Sequence, residues 1–275
     1  MDIGISTACF YPELLTEETI GVIADMGFKT IEVFLETASE YQEDYCKKLR
    51  DKIEHAGLIT YSVHSFAVQH EPFLFDKYVP RKNDAWNTFV KVVKAAGILG
   101  AEHITFHGPS KKWFDNEISE IREIAGQMNS LAECAGAYGV SLAWENVYWC
   151  LSHDPGLIAS IMNNITSSNI NFTLDLKQAN RSRVPARRYI EVMGKRLANV
   201  HVNDFSPGNM CLLPGRGQVD YRNLFKMLAQ AGYKGPLIIE VYRNNFSDYD
   251  ELVRARSFLK DMAESQAGMH NKYLP

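Results

Sequence analysis

The sequence predicts an α/β fold, a single closed (β/α)8 TIM barrel of parallel strands. Three observations predict it. An amphipathic helix, a glycine and a short apolar strand recur as one unit along the chain. Eight strand-like runs can be counted, near 3–8, 29–34, 59–64, 102–107, 141–146, 170–175, 198–203 and 236–241. The last four close on Glu145, Asp175, His201 and Glu240, spaced by 30, 26 and 39 residues, which matches the length of a strand–helix unit. Alternating strands and helices imply parallel pairing through right-handed crossovers, and eight units favour a closed barrel over an open sheet. The 275 residues suit such a barrel, which typically uses about 250. No GxGxxG or GxxxxGK[ST] phosphate loop interrupts the pattern, which weakens a nucleotide-binding fold.

Each element has a local reason. Gly27 precedes Ile31-Glu32-Val33-Phe34, and Gly57 precedes Ile59-Thr60-Tyr61-Ser62-Val63. Gly100 stands before His103-Ile104-Thr105-Phe106, Gly139 before Val140-Ser141-Leu142-Ala143, and Gly232 before Leu237-Ile238-Ile239. A glycine just past a helix can take the left-handed conformation that ends the helix and redirects the chain. Ile118, Ile121, Ala125, Met128, Leu131 and Ala135 keep a three-or-four spacing that lines one helix face with apolar groups. Asp220 reads as the N-cap of a helix carrying Leu224, Leu228 and Ala231. The stretch Ser65 to Asn83, with Phe66, His70, Pro72, Phe73, Phe75 and Pro80, exceeds an ordinary connection. It reads as a cover over the barrel mouth, either a mobile lid or a rigid packed loop. No linker or composition break divides the chain, so one domain over 1–275 is expected.

Composition narrows the function classes. A net charge of −4 offers no general attraction for nucleic acid or an anionic membrane. Cys9, Cys46, Cys134, Cys150 and Cys211 are odd in number and free of CxxC pairs, which favours reduced thiols and a cytoplasmic setting. The start Met1-Asp2-Ile3-Gly4 lacks a basic region leading into an apolar one, so a signal peptide is not expected. No run approaches the ~18–20 apolar residues of a membrane span. The expected partner is a small molecule, with homo-oligomerisation left open.

A charged group closing an apolar strand is costly unless it is compensated. Strand C-termini of a parallel barrel open on one face, so Glu145, Asp175, His201 and Glu240 can converge there around one divalent metal. Three carboxylates and an imidazole form a hard donor set that favours Mn2+ or Mg2+, with Co2+ or Zn2+ as substitutes. The alternative is four separately hydrogen-bonded core groups.

These residues also carry a resemblance. Together with His201-Val202-Asn203-Asp204 and the later Pro214-Gly215-Arg216-Gly217-Gln218-Val219-Asp220-Tyr221, they make the chain resemble the xylose isomerase-like TIM-barrel superfamily. Within it, the chain is similar to the sugar phosphate isomerase/epimerase group that includes ketose 3-epimerases. The resemblance implies a metal held by Glu145, Asp175, His201 and Glu240, and it places His64 and His107 near the substrate. Many relatives carry His three residues after the sixth-strand Asp, whereas this chain reads Asp175-Leu176-Lys177-Gln178. Gln178 can donate and accept hydrogen bonds but is no comparable ligand, so it is expected to contact substrate in a different way. Lys177 either binds an anionic substrate group or pairs with a nearby carboxylate.

Arg216, between Gly215 and Gly217, can bring its planar fork to a substrate oxygen or remain a solvated loop arginine. Glu32 can bind a sugar hydroxyl or form a buried ion pair. Trp113, Trp144, Tyr148 and Trp149 can wall the site or simply pack. The implied reaction is sugar or sugar-phosphate isomerisation or epimerisation through an enediolate, with Glu145 and Glu240 moving the proton. The alternatives are a dehydratase of an inosose-like hydroxy-ketone, an endonuclease IV-like phosphodiesterase, and a non-catalytic sugar-binding barrel.

Overall fold

A computed structural model describes residues 1–114 and 118–270 of the chain. Eight parallel strands close into a barrel: β1 (Ile3–Ser6), β2 (Thr30–Leu35), β3 (Ile59–Ser65), β4 (His103–Phe106), β5 (Ser141–Glu145), β6 (Ile170–Asp175), β7 (Leu197–Val202) and β10 (Leu237–Ile239). Their order around the barrel is β1-β10-β7-β6-β5-β4-β3-β2. An antiparallel hairpin, β8 (Asp204–Ser206) with β9 (Asn209–Leu212), follows β7. The sequence pattern did not announce it, because the hairpin is short and half exposed and therefore leaves no apolar alternation to read.

The surrounding helices are α1 (Thr16–Asp25), α2 (Glu43–His55), α3 (Val79–Leu99), α4 (Ile118–Gly136), α5 (Pro155–Met162), α6 (Leu176–Ser182), α7 (Ala186–Met193), α8 (Tyr221–Gln230) and α9 (Asp250–His270). Gly100 closes α3 at φ 74°, and its N–H reaches the carbonyls of Ala96 and Gly97. Only glycine adopts that conformation without strain. The glycines at 27, 57, 139 and 232 are left-handed as well. Asp220 caps α8 by accepting from the N–H of Asn223 at 3.0 Å. In α4 the inner face is Ala125, Met128, Leu131 and Ala135, while Ile118 at the helix start is exposed.

The two faces of each barrel strand divide the work. Ile31, Val33, Val63, Ile104, Phe106, Leu142, Phe172, Leu174, Val200, Val202 and Ile239 are fully buried in the apolar core. On the alternate positions stand Glu32, Ser62 and His64, Thr105 and His107, Glu145, Thr173 and Asp175, Asn199 and His201. A strand period of two puts these groups on one face, the inside of the barrel. Hydrogen bonds across the interior confirm it. Glu32 Oε2 accepts from Ser62 Oγ and Thr105 Oγ1, both at 2.8 Å, and from Asn199 Nδ2 at 3.3 Å.

The long β3–α3 connection is packed rather than open. It contains 3-10 turns at Ala67–Gln69 and Glu71–Phe75, and Glu71, Pro72 and Leu74 are buried. Among the described residues, no helix is long and apolar enough to cross a membrane. All five cysteines are free thiols.

Candidate metal centre

Glu145 ends β5 and Asp175 ends β6. His201 is the fifth residue of β7, and Glu240 follows the last residue of β10. The four strands are neighbours in the order β5, β6, β7, β10, so the four side chains reach one side of the barrel mouth. One donor atom from each lies within 4.8 Å of the others. His201 Nδ1 is 3.4 Å from Glu145 Oε1 and 3.5 Å from Glu240 Oε2, between the two outer carboxylates.

The tautomer of His201 follows from its other nitrogen. Nε2 lies 3.0 Å from Glu32 Oε2, to which it donates a proton. That contact aims the opposite nitrogen at the quartet, as a carboxylate behind a ligating histidine does. Glu32 is fully buried in β2, so of its two readings the buried ion pair is the one found. Two asparagines fix the strand ends. Asn146 accepts from the N–H of Asp175 at 2.7 Å and donates to its carbonyl at 3.0 Å. Asn203 donates to Asp175 Oδ1 at 3.3 Å and to the Glu240 carbonyl at 3.4 Å.

Electrostatically, the cluster is short of positive charge. Burial pushes Asp175 up to about 7, with Glu240 and Glu145 adding to the rise and Lys177 opposing it. Burial would lower His201, but Glu32 and Glu240 hold it well above the usual imidazole range. Burial would raise Glu145, yet His107 and His201 hold it below the ordinary carboxylate range. Asp175 Oδ2 and His201 Nδ1 are buried without a hydrogen-bond partner among the described residues, whereas Glu145 Oε2 faces His107 Nε2. Two orphaned donor atoms of the right chemistry, with a carboxylate oxygen of Glu145 and of Glu240 within 4.8 Å, fit a divalent cation.

The other side of the mouth is aromatic and imidazole. His64 Nδ1 donates to the Ser65 carbonyl at 2.7 Å, which leaves its Nε2 facing His107 Nε2 at 3.1 Å. His107 Nε2 is in turn 3.1 Å from Glu145 Oε2. Phe34 packs on His64 at 4.7 Å between ring centroids, and Trp149 meets His107 edge-on at 5.6 Å. His64, His107 and Glu145 form a second group with the spacing of a cation site. Glu71 reaches this side from the β3–α3 connection and accepts from the N–H groups of His107 and Gly108. Burial raises Glu71 to about 7, although His107 pulls it the other way. Beside it, His70 is buried with neither ring nitrogen hydrogen-bonded among the described residues. Sequence reading passed over Glu71, whose only signal is an acid beside Pro72 in an otherwise apolar loop run.

Arg216, Gln178 and Trp144 each have a partner within the protein. Arg216 is half exposed and pairs with Glu251 of α9, so its guanidinium is engaged outside the quartet. Its loop is shaped by Asp204, which accepts from the N–H groups of Gly215 and Val219. Gln178 lies in the first turn of α6, and its Oε1 accepts from the N–H of Tyr148 at 3.3 Å. Trp144 is fully buried, stacks on Phe172 and donates to the His107 carbonyl at 3.2 Å. Trp113 stacks on Phe73, and Arg181 lies over the Tyr148 ring.

Residues 20–262 match the family model described as xylose isomerase-like TIM barrel. An L-ribulose-5-phosphate 3-epimerase of Shigella boydii is 40% identical over 72 residues, which is 26% of this chain and 25% of that protein. The chain thus aligns with about a quarter of that relative's length. The crystal structure of a D-tagatose 3-epimerase-like protein superposes with a TM-score of 0.80 at 21% identity, covering 96% of this chain and 97% of the other. A structure of IOLI protein with a binding zinc atom superposes with a TM-score of 0.79 at 16% identity, covering 96% and 99%.

Proposed function

The chain belongs to the xylose isomerase-like TIM-barrel family, and from that premise we propose that it is a divalent-metal-dependent sugar or sugar-phosphate epimerase or isomerase. The observation that carries the reading is the quartet itself, gathered from four neighbouring strand ends and including the orphaned Asp175 Oδ2 and His201 Nδ1. Glu145, Asp175, His201 and Glu240 would hold the ion, and Mn2+ or Mg2+ suits the oxygen-rich set. When bound, the ion would polarise the substrate carbonyl and the neighbouring hydroxyl. The epimerase named among the relatives and the zinc-binding neighbour support the same direction.

The protein's own residues then handle the proton. Glu145 and Glu240 stand on the two outer strands of the four-strand arc, with His201 between them. Two carboxylates approaching from different strands can serve opposite faces of one substrate carbon. One removes the proton beside the carbonyl, leaving an enediolate, and the other returns it. Return at the same carbon inverts its configuration, whereas return at the adjacent carbon gives isomerisation. His64, His107 and Trp149 face the quartet across the mouth and would hold the sugar's hydroxyls and apolar face. The packed β3–α3 connection, anchored by Glu71, would limit water at that side.

The test is a screen of metal-loaded protein against ketoses, ketose phosphates and inososes in D2O. Solvent deuterium at a carbon beside the carbonyl supports the reading and identifies the substrate class. No exchange with any member of the three classes would sink it.

One observation favours a second reading. His64, His107 and Glu145 form a further group that shares Glu145 with the quartet, as a two-metal phosphodiesterase would require. Metal analysis separates the two. One ion per chain supports the epimerase or isomerase, and two or more ions with phosphodiester cleavage support the hydrolase.

A further inference from the structure

Lys177 is the charged residue of the site that the proposed proton transfer does not use. Asp175 accepts from the N–H of Gln178 at 3.0 Å and so starts α6 immediately after β6. Lys177 shares the strand face of Asp175, two residues before it, and the turn into α6 keeps it over the strand end. Its side chain is 6% exposed, and Nζ lies 3.1 Å from Glu240 Oε2 and 3.6 Å from Asp175 Oδ2. Tyr242 lies beside it, with its ring centroid 4.8 Å from Nζ. Both oxygens belong to the proposed ligand set. Glu240 Oε2 is also the oxygen facing His201 Nδ1, and Asp175 Oδ2 is one of the orphaned atoms.

We propose that Lys177 is a resident cation of the quartet, a specificity-determining residue that competes with the divalent ion for Asp175 and Glu240. The inference rests on the reading that the quartet binds a metal. A buried ammonium beside two carboxylates offsets part of their mutual repulsion, and removing it leaves them uncompensated. Once a divalent ion is bound, the same ammonium repels it and weakens binding. It also changes the sum of charges. Three ligand carboxylates, a neutral imidazole and a divalent ion sum to −1, the buried Glu32 carboxylate behind His201 makes it −2, and Lys177 returns it to −1. A less negative site accepts the negative charge that develops on substrate oxygen with less repulsion than a more negative one. Lys177 therefore trades metal affinity for tolerance of an anion.

The experiment measures Mn2+ affinity and thermal stability for the full chain and for Lys177→Met and Lys177→Arg. For Lys177→Met, tighter Mn2+ binding by roughly tenfold or more is expected, because a close like charge has been removed. Its chelator-stripped form should melt below the parent, while its Mn2+-saturated form melts at or above the parent. Lys177→Arg, which keeps the charge, should return both values toward the parent. A simple packing role would lower both melting points in parallel and leave affinity unchanged or weaker, and that pattern overturns the proposal. Should stripped Lys177→Met fail to fold, the loaded variant is titrated with chelators of graded strength, and loss of metal at or before the parent's point also overturns it. Failure of the parent itself to bind any divalent ion would instead remove the metal-site reading.

Discussion

Glu71 Oε2 accepts a hydrogen bond from the backbone N–H of His107 at 2.7 Å, which ties the β3–α3 connection to the end of β4. The same oxygen accepts from Gly108 at 3.2 Å. A single buried carboxylate thus joins the loop over the barrel mouth to the strand that presents His107. The loop's position depends on that join, and so does one pH response of the fold.

Burial raises Glu71 to about 7 from an ordinary value of 4.5. The folded chain therefore favours the protonated acid. Its stabilising contribution is complete below about pH 4.5 and is lost as pH rises through about 7. The loss is on the order of 3 kcal/mol at most for a shift of this size. Glu71→Gln keeps a carbonyl oxygen for the two N–H groups and removes the titration. Denaturant unfolding should show the Gln variant gaining on the parent between pH 5 and 8. A stability difference that is flat with pH would show that Glu71 does not titrate in this range.

Glu145→Gln and Glu240→Gln should each abolish most turnover while leaving the fold intact. An amide keeps the shape but cannot take up the substrate proton. Losses of about 10²-fold or more are expected for removing a general base or acid. Circular dichroism and the thermal midpoint check the fold, and D2O exchange separates the two roles. A variant that still exchanges the substrate proton but does not complete the reaction has lost the second carboxylate rather than the first. Two variants with near-parental rates would assign the transfer to another residue.

Much of this site was legible because its residues are periodic. All eight expected barrel strands are present, and the quartet lies on neighbouring strand ends because each ligand closes one repeat unit. What was not legible depends on contacts far apart in sequence. Glu71 reaches His107 across 36 residues and Glu32 reaches His201 across 169. Asn146 and Asn203 each stand one or two residues past a quartet member, and their pairing with Asp175 becomes visible only when the strands are side by side. Lys177 was ambiguous because its position allowed either an anionic substrate group or a carboxylate as partner, and only the fold sets its ammonium beside Asp175 and Glu240. Arg216 reads from its flanking glycines as either a substrate contact or a solvated loop arginine, and its pairing with Glu251 of α9 is not visible in the loop. A loop sequence carries no information about a helix that packs on it 35 residues later.

Asp175 serves two purposes that substitution can separate. It caps α6 through the N–H of Gln178 and contributes an orphaned oxygen to the quartet. Asp175→Asn keeps an acceptor for the cap but loses the charge, whereas Asp175→Ala loses both. Both should weaken divalent-metal binding by about 100-fold or more, since even an outer-sphere change commonly costs 10–100-fold. Only the Ala variant should also lose about 1 kcal/mol of cap stability in the stripped protein. Metal at a hundredfold excess over Kd should stabilise the parent by about 2.7 kcal/mol, and neither variant should show that gain at the same concentration. Undiminished metal-dependent stabilisation in both variants would place the ion elsewhere.

Gln178 stands where many relatives carry histidine, and its side chain faces a loop rather than the quartet. Its Oε1 accepts from the N–H of Tyr148, while the Lys111 ammonium donates to the Tyr148 carbonyl at 2.7 Å. Both ends of the Tyr148 backbone are therefore tethered, and the next residue, Trp149, meets His107 edge-on. The amide is uncharged at any physiological pH, so the tether does not depend on proton balance. Gln178→Ala should free the loop and raise KM through a displaced Trp149, with kcat less affected and metal content unchanged. Gln178→His retains a ring nitrogen as acceptor, but its rigid ring reaches less far than the amide. It should shift substrate preference among ketoses while binding metal normally. The measurements are KM and kcat for each accepted substrate, with metal content determined on the same samples. If both variants keep the parent's substrate profile and KM, the tether only packs the loop, and the idea that Gln178 shapes specificity should be abandoned.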